Sequence, residues 1–443
     1  MANLEDHGPK EMGEDSEEDL SLENMEQSIM DEDSEEDLFL GNMERIFVPP
    51  PKPIFEDSYD VVYKFPSDSN KKFVCPIPEN GDELSDHEAV VKKNEIPGID
   101  AVVKNHALRF LPAKSISRCK AVSKEWYRKI HSPLLAHEQS NHFKNISGYF
   151  CQPPGGSPSF ISLDPRAYGV PSPSLGFLPE TVDLRSSCNG LLCCRSRLGD
   201  NRYYICNPAT EEWRILPKPK LYHGPETAAA LAFEPATLDF ASHFELICAV
   251  TRTPDQEVLE FEIYSSRSDS WRVCDELLCI NEQEGLKPSV NGFYSKRVVY
   301  WATQSGGLLS FDVKAEVYGI MALPLSSGPT GALTVMHGEI CYLVPSTQED
   351  GTLTIQVYGD MTMQLKWEFP LYLLAGHEFC RVLALVNDQT LILVHGEKVI
   401  AYNVLEQEVK QLTEASREEG YANYFAYVNS LTRISHPEVP PYE

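Results

Sequence analysis

The chain has 443 residues, 42% of them hydrophobic and 10% aromatic, and its 38 Lys and Arg face 66 Asp and Glu for a net charge of -28. That apolar content fills a sizeable core, so the chain reads as mostly globular, one small domain beside a large one. The acid surplus disfavours nucleic acid, no run approaches the ~18 consecutive apolar residues of a membrane span, and the opening MANLEDHGPKEMGEDSEED lacks the basic and apolar regions of a secretion signal. The 12 scattered cysteines are therefore expected as free thiols in a reducing compartment, the nucleus and/or cytoplasm.

Residues 1–95 read as a disordered acidic tail and linker. The first 50 carry 17 acidic residues against Lys10 and Arg45, so more than half of the excess charge sits there. EDSEEDLSLENME, from Glu14 to Glu26, recurs as EDSEEDLFLGNME from Glu32 to Glu44. Each copy sets a serine, Ser16 or Ser34, before an acidic triplet, the setting acidophilic kinases favour. A solvating spacer and a phosphorylated docking segment both fit.

Folded structure is expected from Ile96, with a small helical domain over residues 96–142. Ile116, Cys119, Val122 and Trp126 fall along one helical face. Pro112 stops a first helix at Leu111, and Ser115 and Ser123 are candidate caps for the next ones. From Lys104 to Lys144 nine Lys and Arg face only Glu125 and Glu138. An apolar seam among cations suits docking onto an acidic partner; a helical domain packed on its neighbour is the other reading.

The run LPAKSISRCKAVSKEWYRKIHSP resembles the second half of a plant F-box. The resemblance implies that Leu108, Leu111, Pro112, Ile116, Cys119, Val122 and Trp126 contact a Skp-type adaptor, which bridges to a cullin. The first half departs from the pattern: fourteen residues separate Pro97 from Pro112, more than is usual, and Asn105-His106-Ala107-Leu108 replaces the usual glutamate-isoleucine-leucine step.

From residue 146 to 435 the pattern is β. Short runs such as Tyr203–Cys206, Phe244–Cys248, Val298–Trp301 and Leu391–Val394 are rich in β-branched and aromatic residues. A unit recurs at Cys206–Trp213, Tyr264–Trp271, Phe311–Tyr318 and Tyr402–Val409, in which a strand end and a turn former lead to a large apolar anchor. The anchors lie 58, 47 and 91 residues apart, and the wide gap accommodates a degenerate copy at Tyr358–Trp367. Such periods predict propeller blades. Five are visible, and a sixth is expected from Ser147–Leu163 joined by the terminal YFAYVNSLTRI, with a pair of β-sandwiches as the alternative.

Ser187-Cys188-Asn189-Gly190-Leu191-Leu192-Cys193-Cys194, then Asn207-Pro208-Ala209-Thr210 and Trp213, resemble the opening of the plant F-box-associated, kelch-like domain. Asn291-Gly292 before Tyr300-Trp301-Ala302, and Leu309-Ser310-Phe311-Asp312, fit later blocks. The two resemblances together imply a multi-domain chain, a small all-α F-box followed by an all-β propeller-like domain. They imply the substrate-recognition subunit of an SCF (Skp-cullin-F-box) ubiquitin ligase, which takes an unknown protein substrate on the propeller. The other functional reading is a non-ligase propeller scaffold or interaction module whose F-box-like helices are a structural cap.

No catalytic, cofactor-binding or metal residue is expected. Cys188, Cys193 and Cys194 read as core packing rather than a zinc site, which needs four converging ligands. No GxxxxGK[ST], GxGxxG, HExxH or GxSxG pattern occurs. His337, His377 and His395 read as turn or surface residues.

Overall fold

The computed structural model describes residues 98–198, 202–253, 256–279, 287–323, 331–359, 363–376, 378–414 and 423–434. The acidic repeats with Ser16 and Ser34, and His377, lie outside the described residues.

Among the described residues four short helices come first. α1 (Ile99–Val102) continues through a π turn (Val103–Ala107) and a 3-10 turn (Leu108–Phe110). The run ends at Leu111, which is extended at φ -94° and ψ 149° as the following proline ring requires. α2 (Ala113–Cys119), α3 (Lys124–Ile130) and α4 (Pro133–His142) follow. Ser123 caps α3 by accepting from the Trp126 amide at 3.3 Å, and Ser132 caps α4 through the Leu135 amide at 3.2 Å. Ser115 is not a cap. It lies inside α2, which starts directly behind Pro112, and its hydroxyl donates to the Ala167 carbonyl at 3.4 Å.

Every described strand after this belongs to one of six antiparallel sheets. From the axis outward, blade 1 holds β23 (Asn423–Val428), β1 (Ile146–Gln152) and β2 (Ser159–Ser162). Blade 2 holds β3 (Val182–Cys188), β4 (Leu191–Ser196), β5 (Tyr203–Asn207) and β6 (Glu212–Ile215). Blade 3 holds β7 (Ala228–Phe233), β8 (Phe244–Thr253), β9 (Gln256–Ser265) and β10 (Ser270–Cys279). Blade 4 holds β11 (Phe293–Ser295), β12 (Val298–Ala302), β13 (Gly307–Asp312) and β14 (Val317–Ala322). Blade 5 holds β15 (Ala332–Met336), β16 (Glu339–Thr347), β17 (Thr352–Gly359) and β18 (Gln364–Ala375). Blade 6 holds β19 (Cys380–Val386), β20 (Thr390–His395), β21 (Lys398–Asn403) and β22 (Glu408–Glu414).

The apolar core lies between blades, with one cluster for each neighbouring pair. The cluster of Tyr149, Ala384, Val386, Ile392 and Val394 joins blade 6 to blade 1, so the sheets form a closed six-bladed propeller and not two sandwiches. The C-terminal β23 pairs with the N-terminal β1, Tyr149 opposite Ala426 and Phe150 opposite Phe425, which is the exchange expected of the sixth blade. Closure turns the innermost edge of each blade toward the axis, where it is shielded from a foreign strand.

Strand periodicity explains why strands such as β4 are buried on both faces. Leu191 and Cys193 point into the interface of blades 2 and 3, while Leu192 and Cys194 point into that of blades 1 and 2. The cysteines of the SCNGLLCC run therefore diverge into two cores. Burial pushes the Cys188 thiol up to about 12, and Cys193 also rises well above the ordinary range through burial. Cys194 rises well above it too, through contact with Cys206 and then burial.

The recurring unit is the turn from the third to the fourth strand. Cys206 faces Trp213, Tyr264 faces Trp271, Phe311 faces Tyr318 and Tyr402 faces Val409, each seven residues on. In every copy the residue two before the anchor is left-handed: Glu211 at φ 60°, Asp269 at 48°, Glu316 at 55° and Gln407 at 52°. The degenerate copy ends on Leu365 rather than Trp367. Tyr358 faces Leu365, Met363 takes φ 46°, and a bulge beyond Tyr358 carries Trp367 on to face Val357. His337 sits in a turn at φ 49°, as expected. His395 does not: it ends β20, is buried, and places Nδ1 3.3 Å from Glu378 Oε2, because the apolar run of that strand continues through it into the core.

Candidate functional site

Within a blade each strand reverses the last, so the connections alternate between the two ends of the ring. One end carries the turns from first to second and from third to fourth strands. The helical unit packs there: Ala209 of the β5–β6 turn and Leu431, just past β23, join the cluster of Leu108, Ala113, Ile116, Trp126, Ile130 and Leu135. His137 of α4 stacks on Phe240 of the β7–β8 connection at 4.0 Å and approaches the Thr237 carbonyl at 3.0 Å. The opposite end carries the segments returning from outermost to innermost strands, among them residues 216–227 with an exposed Tyr222, and the β4–β5 connection with an exposed Leu198.

The mount is polar at its centre. Asn429 is fully buried; its carbonyl accepts from the Ala113 amide at 2.9 Å and its Oδ1 from the Lys114 amide at 2.8 Å. Two free amides at the start of α2 are thus capped from across the chain, which is why no local serine is needed. Asn429 Nδ2 donates to the Gly169 carbonyl at 2.8 Å. Gln139 of α4, also fully buried, donates to the Leu111 carbonyl at 3.0 Å and accepts from the Leu431 amide at 2.7 Å. Lys114 Nζ reaches the Pro165 carbonyl at 2.6 Å and that of Tyr168 at 3.1 Å.

Residues 429–432 are held in turn by the sequence blocks that open blade 2. The buried Asn207 donates to the carbonyls of Ser430 at 3.0 Å and Thr432 at 2.8 Å, and accepts from the Tyr427 hydroxyl at 3.0 Å. Asn189 and Gly190, at φ 45° and 93°, form the tight β3–β4 turn; a Cβ on Gly190 would lie 2.5 Å from Ser430 Cβ. Neither Asn429 nor Gln139 carries a sequence signal by itself, since each acts on partners 28 to 315 positions away.

Of the residues named as adaptor contacts, Leu108 and Ile116 are 0% exposed, and Pro112 and Trp126 are also buried. Leu111 and Cys119 are half-buried, and Val122 alone is open at 62%. The helical spacing thus picked out the core of the unit, with one residue beyond its edge. Ile99, Val102, Phe110, Tyr127 and Leu134 are the other exposed apolar side chains of the helices. The basic stripe is partly used internally. Lys104 is buried, 2.5 Å from Asp100 Oδ2 and 2.6 Å from Glu125 Oε1, and Trp126 Nε1 donates to Asp100 Oδ1 at 2.8 Å. The bond from Lys104 holds the Asp100 carboxyl below its ordinary range, and the same bond raises the Lys104 ammonium. Arg118, Lys124 and Arg128 remain exposed.

Comparison with known proteins agrees with this architecture. The sequence model of the F-box associated beta propeller domain matches residues 178–434. F-box protein At5g07610 of Arabidopsis thaliana is 30% identical over 237 residues, 49% of this chain and 54% of the relative. F-box protein At5g49610 of the same plant is 30% identical over 279 residues, 59% and 72% of the two chains, and F-box/kelch-repeat protein At3g17530 is 24% identical over 268 residues, 54% and 64%. The chain thus spans about half the length of the first of these relatives and more of the other two. With its six blades closed by β23 and more than half of its length matched, the chain belongs to the F-box-associated β-propeller family.

Proposed function

We propose that this protein is the substrate-recognition subunit of an SCF ubiquitin ligase. Its helices dock a Skp-type adaptor, and through it a cullin, while the end of the propeller away from them takes a protein substrate. The observation that carries this reading is the mount: Asn429 and Gln139 fix the helices to one end of the ring and leave the returning segments at the other end open. A rigid spacer of this kind supplies proximity, which is the contribution a recognition subunit makes when the conjugating enzyme brings the chemistry. No catalysis of its own is assigned. No described helix is long and apolar enough to cross a membrane, and the nucleus and/or cytoplasm suits such a ligase.

The burial of Leu108, Pro112, Ile116 and Trp126 favours a structural role for those four, so the docking contacts are assigned to Val122 and the exposed Ile99, Val102, Phe110, Tyr127 and Leu134. Capture of a purified Skp-type adaptor by immobilised protein tests this. Val122→Asp with Tyr127→Asp should abolish capture while leaving the melting curve unchanged, because both side chains are more than half exposed. Capture undiminished by the pair would overturn the docking surface. No capture by the unaltered chain would overturn the ligase reading and leave the helices as a cap.

A further inference from the structure

The ring encloses an axial cavity of about 780 Å³, bordered by blades 1, 4, 5 and 6 and by Ser187 of blade 2. That is within the range of roughly 300–1,000 Å³ typical of small-molecule sites. Its wall differs in charge from the rest of the protein. Lys144 and Arg381 border it, and among the described residues no Asp or Glu does, in a chain whose net charge is -28. The Arg381 guanidinium lies 5.6 Å from the centre of the Tyr424 ring, and burial holds its pKa below the usual arginine value. A cation drawn partly out of water in this way is stabilised by any anion that enters beside it.

Two bordering polar groups are unsatisfied. Tyr149 is 1% exposed and its hydroxyl makes no hydrogen bond; burial pushes its pKa up, so it is a neutral phenol able to donate. Asn291 donates from Nδ2 to Asn423 Oδ1 at 3.0 Å, while its own buried Oδ1 accepts nothing. Buried polar groups in folded proteins are nearly all paired, so an orphan donor and an orphan acceptor on one cavity wall describe the complement of a ligand.

We infer that the axial cavity is a binding site for a small oxyanion that also carries hydroxyl groups, a hydroxycarboxylate or a sugar phosphate. Arg381, with Lys144 at the margin, takes the negative charge. The Tyr149 hydroxyl donates to an oxygen of the ligand, and Asn291 Oδ1 accepts from a ligand hydroxyl. Lys144, Tyr149, Asn423 and Tyr424 come from the segments at or beside the β1–β23 seam, so the ligand also clasps the strands that close the ring. The inference does not rest on adaptor docking.

Titration calorimetry on the full chain tests it, with malate and glucose 6-phosphate as the two oxyanion probes and glucose as the neutral control. At least one anion should bind at a single site and glucose should not; which one binds identifies the source of the charge. Arg381→Met should weaken binding at least about tenfold and Tyr149→Phe about fivefold, the losses expected of a charged and a neutral hydrogen bond. Lys144→Gln, on an exposed side chain, should weaken it a few-fold and keeps the test usable if Arg381→Met fails to fold. Absence of heat from both anions at about 10 mM, or affinity unaltered by Lys144→Gln and Tyr149→Phe together, would overturn the assignment.

Discussion

Replacing Asn429 by alanine should release the helical unit while leaving the propeller intact. The substitution removes two side-chain bonds and keeps the backbone ones, Asn429 N to Ser147 Oγ at 3.0 Å, and Ala113 N at 2.9 Å and Gln139 Nε2 at 3.3 Å to Asn429 O. Loss of Oδ1 uncaps the Lys114 amide at the start of α2, a change that costs about 1–2 kcal/mol at helix N-termini. Loss of Nδ2 strips the Gly169 carbonyl of a donor at 2.8 Å, about 1 kcal/mol more. The total of roughly 2–3 kcal/mol falls on one element, because the amides affected belong to α2 and the segment it touches. Native-state hydrogen exchange should then show α2 amides opening on the order of 30- to 150-fold faster, at 1.36 kcal/mol per tenfold, with β3–β22 amides unchanged. If α2 and the inner strands of blades 3 to 5 accelerate together, or if α2 moves by less than threefold, Asn429 is not the mount described above.

Asp100 is held below its ordinary pKa and Lys104 above its own. The brace between α1 and α3 should therefore be complete from about pH 4 to about pH 10, lost in acid as Asp100 protonates and lost in base as Lys104 deprotonates. Trp126 fluorescence, read as the difference from a Trp126→Phe protein, should report both transitions, and Asp100→Asn should remove the acid one. Glu262 and His223, both fully buried, meet at 2.9 Å between blades 2 and 3, and Glu262 also accepts from the amides of Lys220 at 2.7 Å and Leu221 at 3.0 Å. Glu262→Ala leaves those donors unpaired and should cost about 3–5 kcal/mol in a urea titration, with a smaller loss for Glu262→Gln. Gln407, exposed and left-handed at φ 52°, should gain up to about 1 kcal/mol in the same assay when changed to glycine, which adopts that conformation without steric penalty. Unchanged stability would mean that the turn relaxes without help.

The repeating turn was legible because it is local. A strand end, a side chain that closes the turn and an apolar anchor seven residues on are set by chemistry within one hairpin, and four of the five copies could be aligned from residue type alone. The fifth slipped by two residues because the bulge beside Tyr358 depends on strand pairing, which residue type does not encode. Ser123 was recognisable as a cap for the same local reason, whereas Ser115 was displaced by a cap that arrives from Asn429.

By itself, then, the amino-acid order determined the β period, the helical segment before it, the family and the strand exchange that closes the ring, since each rests on short-range pattern or on segments long enough to align. Only the tertiary structure decided what the apolar seam of the helices does. Helical periodicity marks the face that is buried but cannot say against what, and here that face meets Leu431 and Ala209, leaving Val122 as the one predicted contact in the open. The same holds for the axial cavity: Tyr149, Asn291 and Arg381 lie far apart along the chain, and they share a wall only because six blades close around one axis.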